Sequence, residues 1–151
     1  MIITVEDLKK SSIYPEILDI ITRKDDTIVE LQILAAQSLC ASYLFKYDLK
    51  PVFGDDTATP AVPPTVVSPA LQKIVKIIAS YYLVRQSNPN IDLELFRKDY
   101  EDAITLLENI RDGQNNLVEL SYRKDDPDTP EDESDVAGLG WSSNPKRTNF
   151  F

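Results

Sequence analysis

Apolar residues recur at helical spacing along most of the chain, up to about residue 112. Thr4 and Asp7 form a capping-box-like start, with Asp in place of the preferred Glu or Gln, and predict a short helix to about Lys10. Pro15 suits the first turn of a second short helix. The apolar side of that second helix consists of Ile17, Leu18 and Ile21.

The longest predicted helix covers residues 27–47, and Asp26 or Thr27 can cap its start. One stripe of this helix is formed by Ile28, Leu31, Ala35, Leu39 and Ser42. Further apolar residues lie beside that stripe, namely Leu34, Ala41, Leu44 and Phe45. A helix that is apolar nearly all round must be covered on more than one side. Either the rest of a small bundle or a second copy of the protein supplies that cover.

Two more amphipathic helices are predicted, over residues 68–86 and 92–112. Ser68 is a typical N-cap, and Pro69 takes the first helical position. In the last helix the charged residues from Arg97 to Asp102 are predicted to face away from the core, and Gly113 stands where a left-handed C-cap belongs. Residues 117–121 are predicted to add a short strand.

The connection between residues 47 and 67 is long and rich in proline, and residues 48–53 and 64–67 are extended in character. We expect this connection to protrude and to contact neighbouring subunits through Leu49, Val52 and Phe53. The predicted fold class is therefore all-α: a small bundle of two short N-terminal helices and three long helices, with a protruding Pro-rich loop. Residues 1–121 form the helical domain, and residues 122–151 form an extended C-terminal arm.

The arm begins with an acidic, Pro-bearing segment, residues 122–135, that cannot bury enough surface to fold alone. It ends in aromatic and basic residues, the types that anchor interfaces. The candidate partner-binding residues of the arm are Trp141, Asn144, Pro145, Lys146, Arg147, Phe150 and Phe151. Lys146 and Arg147 either meet acidic groups on a partner or remain two solvated charges on a frayed end.

Composition excludes several function classes. A net charge of −9 argues against a protein held to nucleic acid by phosphate contacts, which need clustered Lys and Arg. The chain has no histidine, so the commonest general base and metal ligand is missing. Its single cysteine, Cys40, lies in an apolar run and is expected to be buried and inert. No apolar stretch is long enough to span a membrane, and the first residues do not resemble a signal peptide.

No reactive constellation is apparent, and an enzyme is disfavoured. The carboxylate pairs Asp25–Asp26, Asp55–Asp56 and Asp125–Asp126 lie in polar loops, where solvated turns explain them better than a loosely held hard cation does. Gly138 and Gly140 neither follow a strand nor open a helix, so they do not form a phosphate-binding loop. We therefore expect no cofactor and no metal. A small metal-dependent enzyme built on the acidic pairs is a remote alternative.

The order of several short motifs resembles the small helical head-completion proteins of tailed bacteriophages, the Mu-like branch of the head–tail connector (adaptor) family. Thr4-Val-Glu-Asp-Leu8 is similar to their opening T-x-E-D-L helix. Tyr47-Asp-Leu-Lys-Pro51 is similar to their Y-x-L-P turn, with one residue inserted. Pro63-Pro64 and the helix containing Ile78-Ala-Ser-Tyr-Tyr-Leu83 follow in the same order.

The last helix also matches the family pattern, from Arg97 through Ala103 and Leu107 to Gly113. The resemblance covers roughly residues 1–121, and the long connection and the acidic tail depart from it. It implies a homo-oligomeric, dodecameric ring that joins the portal protein to the tail or to further connector proteins. DNA would pass through that ring without sequence-specific binding. The protein would belong to the virion neck at the capsid vertex, and to the host cytoplasm during assembly.

A second interpretation comes from a different class. The chain would then be a small helical protein-interaction or regulatory module, monomeric or dimeric, whose tail is a linear docking motif for a cellular protein. A ring on the vertex axis of assembled particles would favour the connector over this module.

Overall fold

A computed structural model describes residues 2–11, 15–55, 58–87 and 93–123 of the chain. Within these ranges the chain forms six helices. They are α1 (Val5–Ser11), α2 (Pro15–Thr22), α3 (Asp26–Tyr43), α4 (Lys50–Phe53), α5 (Pro69–Ser87) and α6 (Leu93–Arg111). The described residues contain only two isolated β-bridges besides these helices, so the all-α prediction is confirmed.

The central layer consists of α3, α5 and α6, while α1 and α2 cover one side of it. Gln32 at the start of α3 donates a hydrogen bond to Gln86 at the end of α5, 3.1 Å away, so these two helices run antiparallel. A short connection joins α5 to α6, which returns antiparallel. Tyr81 of α5 stacks on Tyr100 of α6, with ring centroids 4.5 Å apart, as expected for aromatic residues at core spacing.

The core is a single cluster of aliphatic side chains from all six helices. Its largest fully buried members include Leu8, Leu18, Ile33, Ile78 and Leu107. Fully burying one such side chain stabilises the fold by about 1.5–3 kcal/mol. The core extends beyond the helices, because Tyr47, Leu117 and Leu120 are also buried.

The sequence does not determine which side of α3 faces the core, and the structure shows it. The residues that face the core are Val29, Ile33, Ala36, Gln37 and Cys40. Leu31 and Ala35, which the sequence placed on the main stripe, are exposed. Asp25, and not Asp26 or Thr27, caps the helix, since its carboxylate accepts a hydrogen bond from the Thr27 backbone N–H at 3.0 Å.

The connection between α3 and α5 is partly helical, whereas the sequence indicated extended chain from residue 48 to 53. Pro51 fits an early position of α4, and Val52 turns into the core with 0% exposure. The Pro51 carbonyl oxygen then accepts hydrogen bonds from the backbone N–H groups of Thr65 and Val66, at 2.8 and 2.9 Å. These bonds hold the later part of the connection against α4.

The C-terminal end of α6 closes in a Schellman motif. Gly113, with φ +76°, donates to the Ile110 carbonyl oxygen at 3.1 Å, and Gln114 donates to that of Asn109 at 2.8 Å. The predicted left-handed glycine cap is confirmed. Residues 117–121 form a turn instead of the predicted strand, because the Leu120 N–H bonds locally to the Leu117 carbonyl oxygen at 3.0 Å.

The capping box at α1 is present as predicted. The Asp7 carboxylate accepts from the Thr4 backbone N–H at 2.9 Å and from the Thr4 hydroxyl at 2.7 Å. The Asp7 backbone N–H donates to the Thr4 hydroxyl oxygen at 3.2 Å. The two hydrogen bonds from Thr4, the backbone one first, lower the pKa of Asp7 below its ordinary value of 3.8.

Asp7→Ala is expected to lower the free energy of unfolding by about 0.5–1 kcal/mol at pH 7, which is the usual worth of a helix cap. Because the folded-state pKa of Asp7 is depressed, its ionised form stabilises the fold above the unfolded-state pKa, and this contribution is lost as the pH falls through the folded-state pKa. The difference between wild type and variant should therefore shrink below pH 4.

Urea denaturation at pH 7 and near pH 2.5 measures this effect. Glu30→Ala, which removes an exposed carboxylate from the second turn of α3, is the matched control for the loss of one surface carboxylate. An Asp7→Ala deficit that stays constant down to pH 2.5 would contradict the assignment.

Candidate docking surfaces

The outward side of α3 carries exposed aliphatic side chains. Leu31 is 62% exposed and Leu34 is 44% exposed, and exposed Ala35 lies on the same face, one turn after Leu31. We call Leu31, Leu34 and Ala35 the α3 stripe. Since α3 already packs on α1, α2, α5 and α6, the stripe is surplus apolar surface and not the core-facing side of the helix.

A groove lies between α5 and α6. It has a volume of about 590 Å³. Its apolar lining comes from Ala70, Ile74, Ile77, Phe96, Ala103 and Leu106. Its polar lining is Lys73 and Ser80 of α5 with Asp99 and Asp102 of α6. This set is the α5–α6 groove.

Two features of the α5–α6 groove were not predicted from the sequence. Asp99 and Asp102 are exposed, as predicted for the charged residues of α6, but their position on the rim of a groove was not visible in the sequence. Ser80 is only 3% exposed, and its hydroxyl has no hydrogen-bond partner within the described residues. Buried hydroxyls are normally bonded, so this oxygen leaves an unused polar position in the groove lining.

Tyr122 and Arg123, the last described residues, pack on the helical body. Tyr122 stacks on Tyr47 with ring centroids 4.8 Å apart, and both hydroxyls lie 3.4 Å from the Asn116 side-chain oxygen. The Arg123 backbone N–H donates to the Lys46 carbonyl oxygen at 2.9 Å. Burial, followed by the neighbouring Tyr122, raises the pKa of Tyr47 to about 12.

The three predicted loop contacts have different positions. Val52 is fully buried within its own chain, so it belongs to the core and does not offer an exposed contact. Leu49 and Phe53 are half-buried against the core, and their contact with neighbouring subunits stays a prediction. On the same connection, Val62 and Val67 are 46% and 66% exposed.

The predicted arm residues Trp141, Asn144, Pro145, Lys146, Arg147, Phe150 and Phe151 lie outside the described residues. Their role as partner contacts stays a prediction. The structure does show where the last described residue, Arg123, lies on the body. Glu119, four residues before Arg123, has its carboxylate 3.4 Å from the hydroxyl of Ser68, which directly precedes α5. The arm therefore leaves at the end of the bundle where α5 begins and α3 and α6 end.

The described carboxylate pairs have structural partners. Asp25 caps α3, and Asp26 pairs with Lys9 at 2.8 Å. Asp55 pairs with Lys50 at 3.1 Å, while Asp56, Asp125 and Asp126 lie outside the described residues. Over residues 2–11, 15–55, 58–87 and 93–123, no three His, Cys, Asp or Glu side chains converge to hold a metal ion.

Cys40 is buried, as expected, in the α3 face that packs on the core. Burial raises the pKa of its thiol to about 12, so the reactive thiolate is scarce at neutral pH. None of the helices in the described part of the chain combines the length and the apolarity that a membrane crossing requires.

The fold and surfaces define a small helical body with surplus apolar surface on α3, an open α5–α6 groove and a C-terminal extension. Comparison with protein families gives the family. The model described as "Bacteriophage Mu, Gp36" matches residues 3–137, so the chain belongs to this family of bacteriophage proteins. No curated protein matches the chain. The family match runs past the helical body into the acidic segment, and Trp141 and the residues after it lie beyond the matched range.

Proposed function

We propose that this protein is a head–tail connector: a structural protein of the phage particle that forms a ring between the portal protein and the tail. The observation that carries the proposal is the family match over residues 3–137, which makes the chain a bacteriophage protein. The all-α body is the architecture that the resemblance to head-completion proteins implies. The role is structural and not catalytic, and it needs no cofactor or metal.

The exposed surface of the body supports assembly into a ring. A closed ring needs contacts on two sides of each subunit, because each copy meets one neighbour on either side. The α3 stripe and the α5–α6 groove lie on different helices and give two separate patches. The exposed Leu31 and the apolar groove lining are the kind of surface that association buries.

The charge of the chain supports a ring through which DNA passes. With 25 acidic against 16 basic residues, the protein repels phosphate at short range. DNA can slide past such a surface because no cluster of cations holds its backbone. The connector would therefore surround the duplex without binding it.

The arm supplies the third element of the proposal. We propose that Trp141, Phe150 and Phe151 fill pockets on an adjacent subunit or on the portal, with Lys146 and Arg147 meeting acidic groups there. An acidic segment followed by aromatic anchors suits a segment that orders on docking and lets a small body hold a larger partner.

Imaging of assembled phage particles tests the proposal directly. The expected result is a ring of this protein on the vertex axis, between portal and tail. Particles that lack the protein, or that carry it elsewhere on the capsid, would refute the connector role and favour a regulatory module.

A further inference from the structure

We infer that the α5–α6 groove is the receptor for the C-terminal segment of a second copy of this chain, residues 141–151. The inference names the partner of the arm, and in that respect it rests on the proposed docking role of the arm. It is argued from the chemistry of the groove, the composition of the segment and the point at which the chain leaves the body.

The chemistry of the groove and that of the segment are complementary. Two carboxylates, Asp99 and Asp102, face one cation, Lys73, so the groove has a net negative rim. The segment brings Lys146 and Arg147 and no acidic side chain. Opposite charges across an interface fix the register and exclude wrong partners.

The apolar floor of the groove fits the aromatic residues of the segment. A volume of about 590 Å³ is within the range of pockets that hold small ligands, and it accommodates one or two aromatic rings but not a whole helix. Trp141 also carries an indole N–H donor, and donors of this type are usually paired when buried. The exposed carboxylates of Asp99 and Asp102 on the groove rim are the acceptors that such a donor can reach.

The proposed ring favours a second copy as the source of the segment, because each subunit of a closed ring has a neighbour on either side. Residues 124–140 contain seven Asp and Glu against one Lys, the same sign of charge as the groove rim, so the groove suits the basic segment and not this spacer. The 17 residues of the spacer span up to about 55 Å. The groove from Leu106 to Phe96 covers ten residues of helix, about 15 Å, and begins at the end of the bundle where the arm leaves. A spacer of this reach can place the segment on a neighbouring subunit, and a chain carrying both cysteines, described below, separates that docking from docking in the chain's own groove.

Disulfide trapping in the full chain tests the inference. The native cysteine, Cys40, is buried and its thiol pKa is raised to about 12, so it reacts little under mild oxidation. One preparation carries Leu106→Cys at the groove rim, where the side chain is 38% exposed, and the other carries Ser142→Cys beside Trp141. Mixed under mild oxidation, the two chains should join at a yield at least about tenfold above the control, equivalent to about 1.4 kcal/mol of preference. The control pairs Ser142→Cys with Ser42→Cys on the exposed side of α3.

A charge reversal separates specific docking from random collision. Asp99→Lys with Asp102→Lys, added to the Leu106→Cys chain, should reduce the yield to the control level. Glu30→Lys on exposed α3, with the same charge change per site, should leave the yield unchanged. Equal yields for the two charge reversals would overturn the inference.

Three further outcomes distinguish the groove assignment from the connector role. A disulfide that forms only within one chain carrying both cysteines overturns the second copy as the source of the segment. A ring in phage particles without the trapped disulfide overturns the groove assignment alone and leaves the connector role standing. A trapped disulfide in a protein that is absent from particles supports the groove assignment and overturns the connector role.

Discussion

A chain shortened to end at Arg123 is expected to fold like the full chain and to lose its attachment to the phage particle. The folded part should survive because every member of the described core lies before residue 124, from Ile2 to Leu120 and Tyr122. The Tyr47–Tyr122 stack and the hydrogen bond from Arg123 to Lys46 are also retained. Attachment should fail because the truncation removes all the candidate anchors, Trp141, Phe150 and Phe151 among them.

The expected loss of attachment is large. Removing a single aromatic anchor from the centre of an interface costs about 2 kcal/mol or more, a factor of about 30 in affinity. The truncation removes one Trp and two Phe at once. Quantitative mass spectrometry of purified particles measures the copies of the protein per particle, and we expect the truncated chain to be nearly absent.

A second truncation, one that ends at Ser121, separates folding from docking. It lacks the Tyr122 ring, and an aromatic pair contributes about 0.5–1.5 kcal/mol beyond its buried area. It should therefore unfold at lower urea concentration than the chain ending at Arg123, although both lose attachment. Thr148→Ala in the full chain, which removes only a hydroxyl from the arm, should bind as wild type does. Normal incorporation of the chain ending at Arg123 would refute the docking role of the arm.

The caps and bounds of helices that local chemistry decides are predictable from the sequence. Thr4 and Asp7 satisfy each other's backbone and side-chain groups within a single turn, so the pattern alone predicts the cap. Gly113 terminates α6 because a left-handed residue is needed there, and glycine adopts that conformation at the lowest cost. α6 was predicted with correct bounds within one residue, because its polar and apolar sides are clearly divided.

The buried side of a helix is not predictable in this way where tertiary packing determines it. α3 is apolar nearly all round, so its pattern does not determine which side faces the core. Gln37 is a polar residue, yet it is only 8% exposed and faces the core with Ile33 and Cys40. The burial of Val52 was also not predicted, because no local pattern indicates it. The chain returns to α4 much later, through the hydrogen bonds of Thr65 and Val66.

The two candidate sites differ in the same way, because one can be predicted from the sequence and the other cannot. Aromatic residues after an acidic spacer are visible in the sequence, and they predict a docking arm. The α5–α6 groove is not, because its rim is assembled from Lys73 of one helix and Asp99 and Asp102 of another. A charged residue at an outward helical position looks the same in sequence whether it faces solvent or borders a groove.

Leu31→Glu combined with Leu34→Glu is expected to abolish assembly into the ring without unfolding the subunit. Both side chains are substantially exposed on the isolated subunit, so their replacement removes little buried surface. Glu and Leu have similar helix propensities, and surface changes of this kind are usually within about 0.5 kcal/mol per site. If a neighbouring copy covers the α3 stripe, each introduced carboxylate must be buried there without a partner, at a cost of several kcal/mol.

Leu95→Glu is the matched control for this prediction. Leu95 on α6 is 63% exposed, against 62% for Leu31, so the same change is made on an equally exposed leucine outside the α3 stripe. Incorporation into particles should be normal for the control and reduced by at least about 100-fold for the α3 variant, which corresponds to about 2.7 kcal/mol. Leu34→Met, which keeps the apolar surface, should assemble as wild type does.

Thermal denaturation of each purified variant shows whether the subunit is still folded, and imaging of particles shows whether a ring is present. Loss of the ring for the α3 variant with an unchanged melting temperature places the subunit contact on the α3 stripe. A complete ring built from the Leu31→Glu, Leu34→Glu chain would mean that the stripe remains in solvent in the assembly. Loss of the ring for Leu95→Glu alone would instead move the contact to the start of α6, because only there does that variant alter the surface.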